Sequence, residues 1–344
     1  MLRPLRCGLV TSALDPSSAR AYWNGARWPR AGGHYESWFQ RANHPTRPLG
    51  FWIRYTIFAP ADPTQAAQGE LWAIWFDGER EQITVAKSEH PIAGCRFDSN
   101  ALGVEIAGAV LDGQRLVGSC EGAGHRLGWR LDYDSEQPPL LLLPEPTYAR
   151  GFPKAKAVVG SPLCRFRGSL EVDGQTHAID RWLGTQNHNW GPRHTDRYAW
   201  GQVAGFDGRD DVLLECMTAK LRIGPLWTPW LTIAVMRVGG QTLNFNAMAR
   251  TPFGRPRVEG LRWRFDTGNG HDRLRAEFSG EPASFVGLRY RNPPGGTKIC
   301  LNSKIASCRV ELDRPGAETL VLLGTRRAAF ELLGEDSLGI PVVA

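Results

Sequence analysis

ELWAIWFDGEREQITVAKS, residues 70–88, reads as two strand-like runs meeting at Asp77-Gly78. Each run is short and rich in aromatic or β-branched residues. Asp-Gly supplies the positive-φ turn that a tight antiparallel hairpin needs. The same grammar extends outward in both directions. FWIRYTIF (51–58), GVEIAGAVL (103–111), HRLGWRLDYD (125–134) and CRFRGSLEV (164–172) follow it. So do YAWGQVAGF (198–206), DVLLECMTAKLR (211–222), WLTIAVMRV (230–238), GLRWRFD (260–266), SCRVELD (307–313) and ETLVLLG (318–324). Turn signals separate them, with Asp-Gly at 112–113, 173–174 and 207–208 and Gly-Gly at 239–240. Period-two alternation with almost no helical periodicity predicts an all-β protein, a barrel or a sandwich.

About sixteen such runs in 344 residues exceed one small barrel, so two barrels suit the length. LGWRLD (127–132) and LRWRFD (261–266) offer a weak internal echo of such a duplication. The expected division is an N-terminal arm over 1–20, a first barrel over 21–205 and a second over 206–344. The proline-rich PPLLLLPEPTYARGFPKAK (138–156) and GPLWTPW (224–230) leave the boundary anywhere within 150–230.

Composition excludes several classes. The chain is 42% hydrophobic and 22% charged, which supports a core and rules out wholesale disorder. No run approaches the roughly 20 apolar residues of a membrane-spanning helix. MLRPLRCGLVTSALD is too short and too polar in its apolar part for a signal peptide, so a soluble, cytoplasmic protein is expected. The net charge is +6, and only six of the 41 cationic residues are lysine, spread without a basic block. No nucleic-acid partner is expected. Seven cysteines (7, 95, 120, 164, 216, 300 and 308) are widely spaced with no Cys-x-x-Cys, which points to free, mostly buried thiols. Neither a Gly-x-Gly-x-x-Gly loop opening a helix nor a Gly-x-Ser-x-Gly elbow is present.

The excess is aromatic: thirteen tryptophans, densest where polar residues are mixed among them. One such segment is HYESWFQRANH (34–44), preceded by YWNGARWPR (22–30). The other is DRWLGTQNHNWGPRHTDRYAWGQ (180–202). Trp23, Trp28, Trp38, Trp182, Trp190 and Trp200 fall in or beside these segments, where a site is expected. Trp52, Trp72, Trp75, Trp129, Trp227, Trp230 and Trp263 are expected mainly to pack barrels.

Tyr35, Glu36, Trp38 and Phe39 resemble the signature near the start of tocopherol cyclases and the Glu-Trp-Trp-Tyr signature of AttH-like proteins. His188, Trp190, Tyr198 and Trp200, followed by Asp207-Gly208 and DVLLECM, are similar to a signature of carotenoid 1,2-hydratases (hydroxyneurosporene synthases) and AttH-like proteins. The resemblance implies two lipocalin-like β-barrels, in agreement with the strand count. The superfamily it points to holds hydratases, cyclases, Diels–Alderases and proteins of unknown role, so it speaks to fold more than to reaction. Asn187 stands where the hydratase signature has Asp. A Tyr-x-Asp pair expected on the next strand is not reproduced, and Glu215 is the carboxylate there in either register.

Hydrating or cyclising an isoprenoid needs an acid that holds its proton at neutral pH, which burial in an apolar site provides. It also needs aromatic faces for the cation that forms, each worth about 0.5–2 kcal/mol. The candidate catalytic residues are therefore His188, Glu36, Glu215 and Asp180. Trp38, Phe39, Trp190, Tyr198, Trp200, Asn189 and Gln202 are the candidate substrate contacts. His188 within reach of Asp180 or Glu215 would form an acid/base pair. His177, His188 and His194 lack metal-ligand spacing, and neither metal nor cofactor is expected. Lys304, in GTKICLNSKIASCRVEL (296–312), reads as a solvated turn lysine.

The leading expectation is cofactor-free acid/base hydration or cyclisation of a hydrophobic, isoprenoid-like small molecule in a Trp-lined barrel cavity. The absence of a spanning segment leaves room for transient membrane contact during substrate uptake. The alternatives are a carrier or sensor using the same cavity, and a carbohydrate-binding sandwich with exposed tryptophans. The sequence sets no oligomeric state.

Overall fold

The computed structural model describes residues 14–344. Cys7 and residues 1–13 of the expected arm lie outside the described residues, and the rest of the arm opens the helix Pro16–Asn24. Asp15 caps that helix by accepting from the Ser17 and Ser18 amides, with Pro16 in the first turn. Beyond it the strands pair antiparallel, joined by loops and short 3-10 turns, with one isolated parallel bridge between Gly287 and Val342.

The all-β expectation holds: two curled antiparallel sheets form lipocalin-like half-barrels, one of 12 strands and one of 10, with a small ribbon at Arg222–Ile223 and Leu226–Trp227. Both sheets follow one plan. In the first, a meander runs through His34–Asn43, Leu49–Ala59, Gln68–Asp77 and Gln82–Pro91. Its opening strand pairs back onto Gln175–Gly191, which pairs in turn with Lys156–Val172 and then with His125–Asp134. In the second, Arg197–Phe206 leads the meander into Arg209–Lys220, Leu231–Val238 and Gln241–Phe245. It also pairs back onto Leu320–Gly334, followed by Thr297–Asp313 and Arg273–Ser279. The change of sheet falls between Gly191 and Arg197.

The duplication is thus topological, but the sequence echo does not mark it. Trp129 lies on His125–Asp134, whereas Trp263 lies on Arg262–Gly268, one strand further out in its sheet. Both indoles are buried, because any strand with one buried face tolerates a large aromatic flanked by outward arginines.

The barrels are filled. Phe51, Tyr55, Trp129, Phe166 and Trp182 belong to the first core, and Phe206, Trp263, Phe278 and Phe330 to the second. Two further apolar layers bind barrel to barrel. One contains Phe39, Trp52, Trp72, Trp200 and Tyr290, the other Leu142, Leu183, Leu213 and Val235. Leu49–Ala59 is therefore buried on both faces, which is why FWIRYTIF reads as a nearly continuous apolar run. The cysteines expected to be free are free among the described residues, and all but Cys95 are buried. No helix among the described residues is long and apolar enough to cross a membrane.

Candidate functional site

The two polar-aromatic segments are adjacent strands. His34–Asn43 pairs with Gln175–Gly191 so that Glu36 lies opposite Trp190, Trp38 opposite His188 and Phe39 opposite Asn187. Gly184 permits this approach, since a Cβ there would stand 1.9 Å from the Arg41 carbonyl oxygen. Strand parity then divides the candidate residues between two places. Glu36, Trp38, His188 and Trp190 gather beneath the end of the Pro16–Asn24 helix. Phe39, Asn189, Tyr198, Trp200 and Glu215 line a cleft between the barrels, and Gln202 lies behind it.

The first group is a closed clamp. His188 Nδ1 donates to the Trp23 carbonyl at 2.7 Å, and its Nε2 meets Glu36 Oε1 at 2.8 Å. Glu36 also accepts from the Arg27 amide (2.7 Å) and pairs with His34 at 3.1 Å. The His188 ring is stacked against Trp38 (4.8 Å, 9°) and tilted against Trp190 (4.6 Å, 31°). Trp38 donates its indole N–H to the Asn24 carbonyl. Burial alone would raise the Glu36 carboxyl, but the bonds from His188 and His34 more than offset it and hold it down to about 2. An ionised, fully buried carboxylate with every partner in place ties the helix to the barrel.

The second group lines open space. The inner cleft, about 100 Å³, is walled by Phe39, Trp52, Arg54, Trp200, Glu215 and Glu331, drawn from both barrels. It shares Leu143, His194, Thr195, Met217 and Ile233 with an outer vestibule of about 400 Å³, which also touches Phe152 and Ile223. The expected cavity inside a barrel is thus replaced by a cleft between barrels, because aromatic side chains already fill both interiors.

Glu215 stands at the inner end, 3% exposed. Trp200 Nε1 donates to its Oε1 at 2.8 Å, and Gln202 Nε2 donates to its Oε2 at 2.7 Å. Burial raises its carboxyl to about 7, against the pull of those two bonds and of the Arg41 charge. Gln202 is the hub across the barrels. Its Oε1 accepts from Arg41 Nε (2.7 Å) and Thr185 Oγ1 (2.7 Å), and its Nε2 also reaches Asn187 Oδ1 (2.8 Å). The Trp-Gly-Gln run follows from parity. Trp200 and Gln202 face the cleft side, while Gly201 leaves room for Phe278 on the barrel side, 2.4 Å from where a Cβ would stand.

Lys304 is fully buried, not a solvated turn residue. Its Nζ donates to Asn302 (2.6 Å) and Glu331 (2.7 Å) and lies 5.5 Å from the rings of Trp52 and Trp200. Tyr198 donates to the other oxygen of Glu331 at 3.1 Å. Burial holds the lysine below its ordinary range, against the opposing pull of the Glu331 charge and hydrogen bond.

Asp180 is exposed and joins neither group, and His188 bonds to Glu36 rather than to Asp180 or Glu215. Trp182, placed with the site, packs the first core against Phe51 and Trp75, whereas Trp52, placed with packing, lines the cleft. Only Trp227 is an exposed tryptophan among the described residues. Arg41, Arg54 and Glu331 were missed, and Lys304 was read as solvated. Arg54 and Glu331 left a signal, a charged residue inside an otherwise apolar run, as in WIRYT and AAFELL, whereas Arg41 and Lys304 sit among polar neighbours in FQRAN and LNSKIAS and left none. Among the described residues, no three His, Cys, Asp or Glu side chains gather as a metal site.

Fold and cleft together define a lipocalin-like protein of two joined half-barrels, the architecture that the motif resemblance implied. In structure the chain is similar to an AttH-type protein from Nitrosomonas europaea, with a TM-score of 0.60 and 15% identity over 97% of this chain and 99% of that one. It is also similar to kievitone hydratase from Nectria haematococca (0.52, 12%, 89% and 90%) and to CghA (0.51, 12%, 92% and 95%). In sequence it is 27% identical over 320 residues to an uncharacterised protein found in two strains of Mycobacterium tuberculosis, covering 90% of this chain and 89% of the relative. No family model matches the chain.

Proposed function

We propose that this protein adds a proton, and then water or an internal nucleophile, to a hydrophobic small molecule of the isoprenoid kind bound between its barrels. The observation that carries the reading is Glu215. It is a buried carboxyl raised to about 7, set beside the Trp200 indole on a cleft that also exposes Phe39 and Trp52. Such an acid keeps its proton near neutral pH and can give it to an unactivated alkene. The alkene π pair forms the new C–H bond and leaves a carbocation facing the aromatic walls. In hydration, water forms the C–O bond and returns its spare proton to the Glu215 carboxylate. In cyclisation, a hydroxyl of the substrate does the same. Kievitone hydratase, a structural neighbour, is named for adding water.

In this reading Glu36 and His188 hold the helix over the first barrel, and Asp180 has no part. Exposed Ile223, Leu226 and Trp227 stand by the vestibule, where transient membrane contact during uptake of an apolar substrate would be made. The test begins with mass spectrometry of small molecules that co-purify with the protein. They are then incubated with it in heavy water. Deuterium on carbon, with or without the mass of one added water, is the expected result, and Glu215→Gln abolishes it. A carrier would return the ligand unchanged from wild type.

A further inference from the structure

Arg54 lies in the cleft wall, 6% exposed, on the strand Leu49–Ala59. Its guanidinium lies 4.8 Å from the Tyr290 ring centre and 5.8 Å from that of Trp52. Aromatic faces offset part of a buried charge, but they do not satisfy five N–H donors. Nε of Arg54 has no hydrogen-bond partner. The carboxylates whose charge reaches it are committed elsewhere, Glu331 to Lys304 at 2.7 Å and Glu70 to Arg291 at 2.6 Å. A second cation on the same cleft, Lys156, is also 6% exposed and bonds to the Thr147 carbonyl. His194, between the rings of Tyr35 and Tyr290, is pulled down to about 3 by burial and by the Arg54 charge, so it stays neutral.

The cleft therefore combines an apolar floor with a buried arginine whose Nε donor is unmet. Burial opposes the Arg54 charge, but Tyr290, Glu70 and Glu331 hold it above its ordinary range, so it stays a cation; what it lacks is an acceptor for its N–H groups, which a ligand anion would supply. We infer that the ligand is an apolar molecule carrying a carboxylate, and that Arg54 is its anchor. Planar guanidinium suits a carboxylate better than a point charge would. This rests on the reading of the cleft as a ligand site, and it sets orientation: the acid end sits at Arg54 and the apolar part reaches the Glu215 region.

The test uses one apolar body with two head groups, all-trans-retinoic acid and retinol, titrated against the full chain by quenching of tryptophan fluorescence. Retinoic acid is expected to bind at least about tenfold more tightly than retinol. Arg54→Gln should erase that preference while retinol binding survives, and Arg54→Lys should keep only part of it. Equal binding of acid and alcohol by wild type, or a preference that persists in Arg54→Gln, overturns the inference. Thermal melts establish that each variant is folded. If Arg54→Gln does not fold, the wild-type ratio and Arg54→Lys decide. Glu215→Gln should leave the preference intact. Acid preference together with full turnover by Glu215→Gln sinks the proton-donor reading alone. Failure of both probes to bind sinks the cleft and the anchor together.

Discussion

Trp200 donates its indole N–H to Glu215 at 2.8 Å, reaching diagonally between neighbouring strands of the second sheet, where Glu215 pairs with Gln202 and Trp200 with Met217. The same indole lies 6.1 Å from Phe39 of the first sheet, at 86°, and 5.5 Å from the Lys304 ammonium. One side chain thus orients the candidate acid, walls the cleft and joins the barrels. That is why the candidate chemistry sits where two filled barrels meet.

Turnover should follow the protonated form of Glu215. The acid is present below about 7, so the rate should fall as pH rises through that value. Glu215→Gln should cost about 10²-fold or more in kcat, the usual scale of a general acid. Stability carries the same sign. A carboxyl raised from 4.5 to about 7 contributes fully below 4.5, and that contribution is lost as pH rises through 7. Glu215→Gln should therefore gain on wild type in denaturation midpoint between about pH 5 and pH 8.

Glu36 should behave in the opposite way. Its carboxyl is held down to about 2, so its contribution is present above 4.5 and is lost as pH falls toward 2. Glu36→Gln should destabilise the protein by about 2–4 kcal/mol at pH 7, with the gap to wild type closing in acid. Chemical denaturation across pH measures this. Turnover per folded molecule should change little.

Arg41 should set the position of the Glu215 titration. Its Nε donates to Gln202, and its charge lowers the Glu215 carboxyl. Arg41→Met removes that pull, so the alkaline limb of the rate profile should move above pH 7. The loss of its bonds to Gln202 and Asn43 should also cost about 2–4 kcal/mol in denaturation.

Lys304 and Glu331 should be coupled. Lys304→Met strands a carboxylate 7% exposed and should cost about 3–5 kcal/mol. Adding Glu331→Leu should recover much of that loss. A double-mutant cycle by denaturation reads the coupling directly.

The fold was largely legible because alternation and Asp-Gly turns report local strand geometry, which burial then reinforces. The two polar-aromatic segments are also neighbouring strands. What the sequence did not carry was strand parity relative to the second barrel. HYESWF alternates between a clamp under the helix and a wall of the cleft, and nothing local says which face holds ligand. Lys304 shows the same limit. Its lysine looks solvated until Glu331 and two tryptophans, distant in the chain or on the far barrel, join the neighbouring Asn302 in enclosing it. Arg54 reads as an outward residue on an alternating strand, although that strand is covered on both faces.

The most direct test needs no substrate. Glutamate carboxyl carbons labelled with carbon-13 can be titrated by NMR, with the Glu215 resonance assigned by its absence in Glu215→Gln. A midpoint near 7 is the result this account requires. A midpoint at or below the ordinary value of 4.5 would leave the cleft without an acid at neutral pH and contradict it.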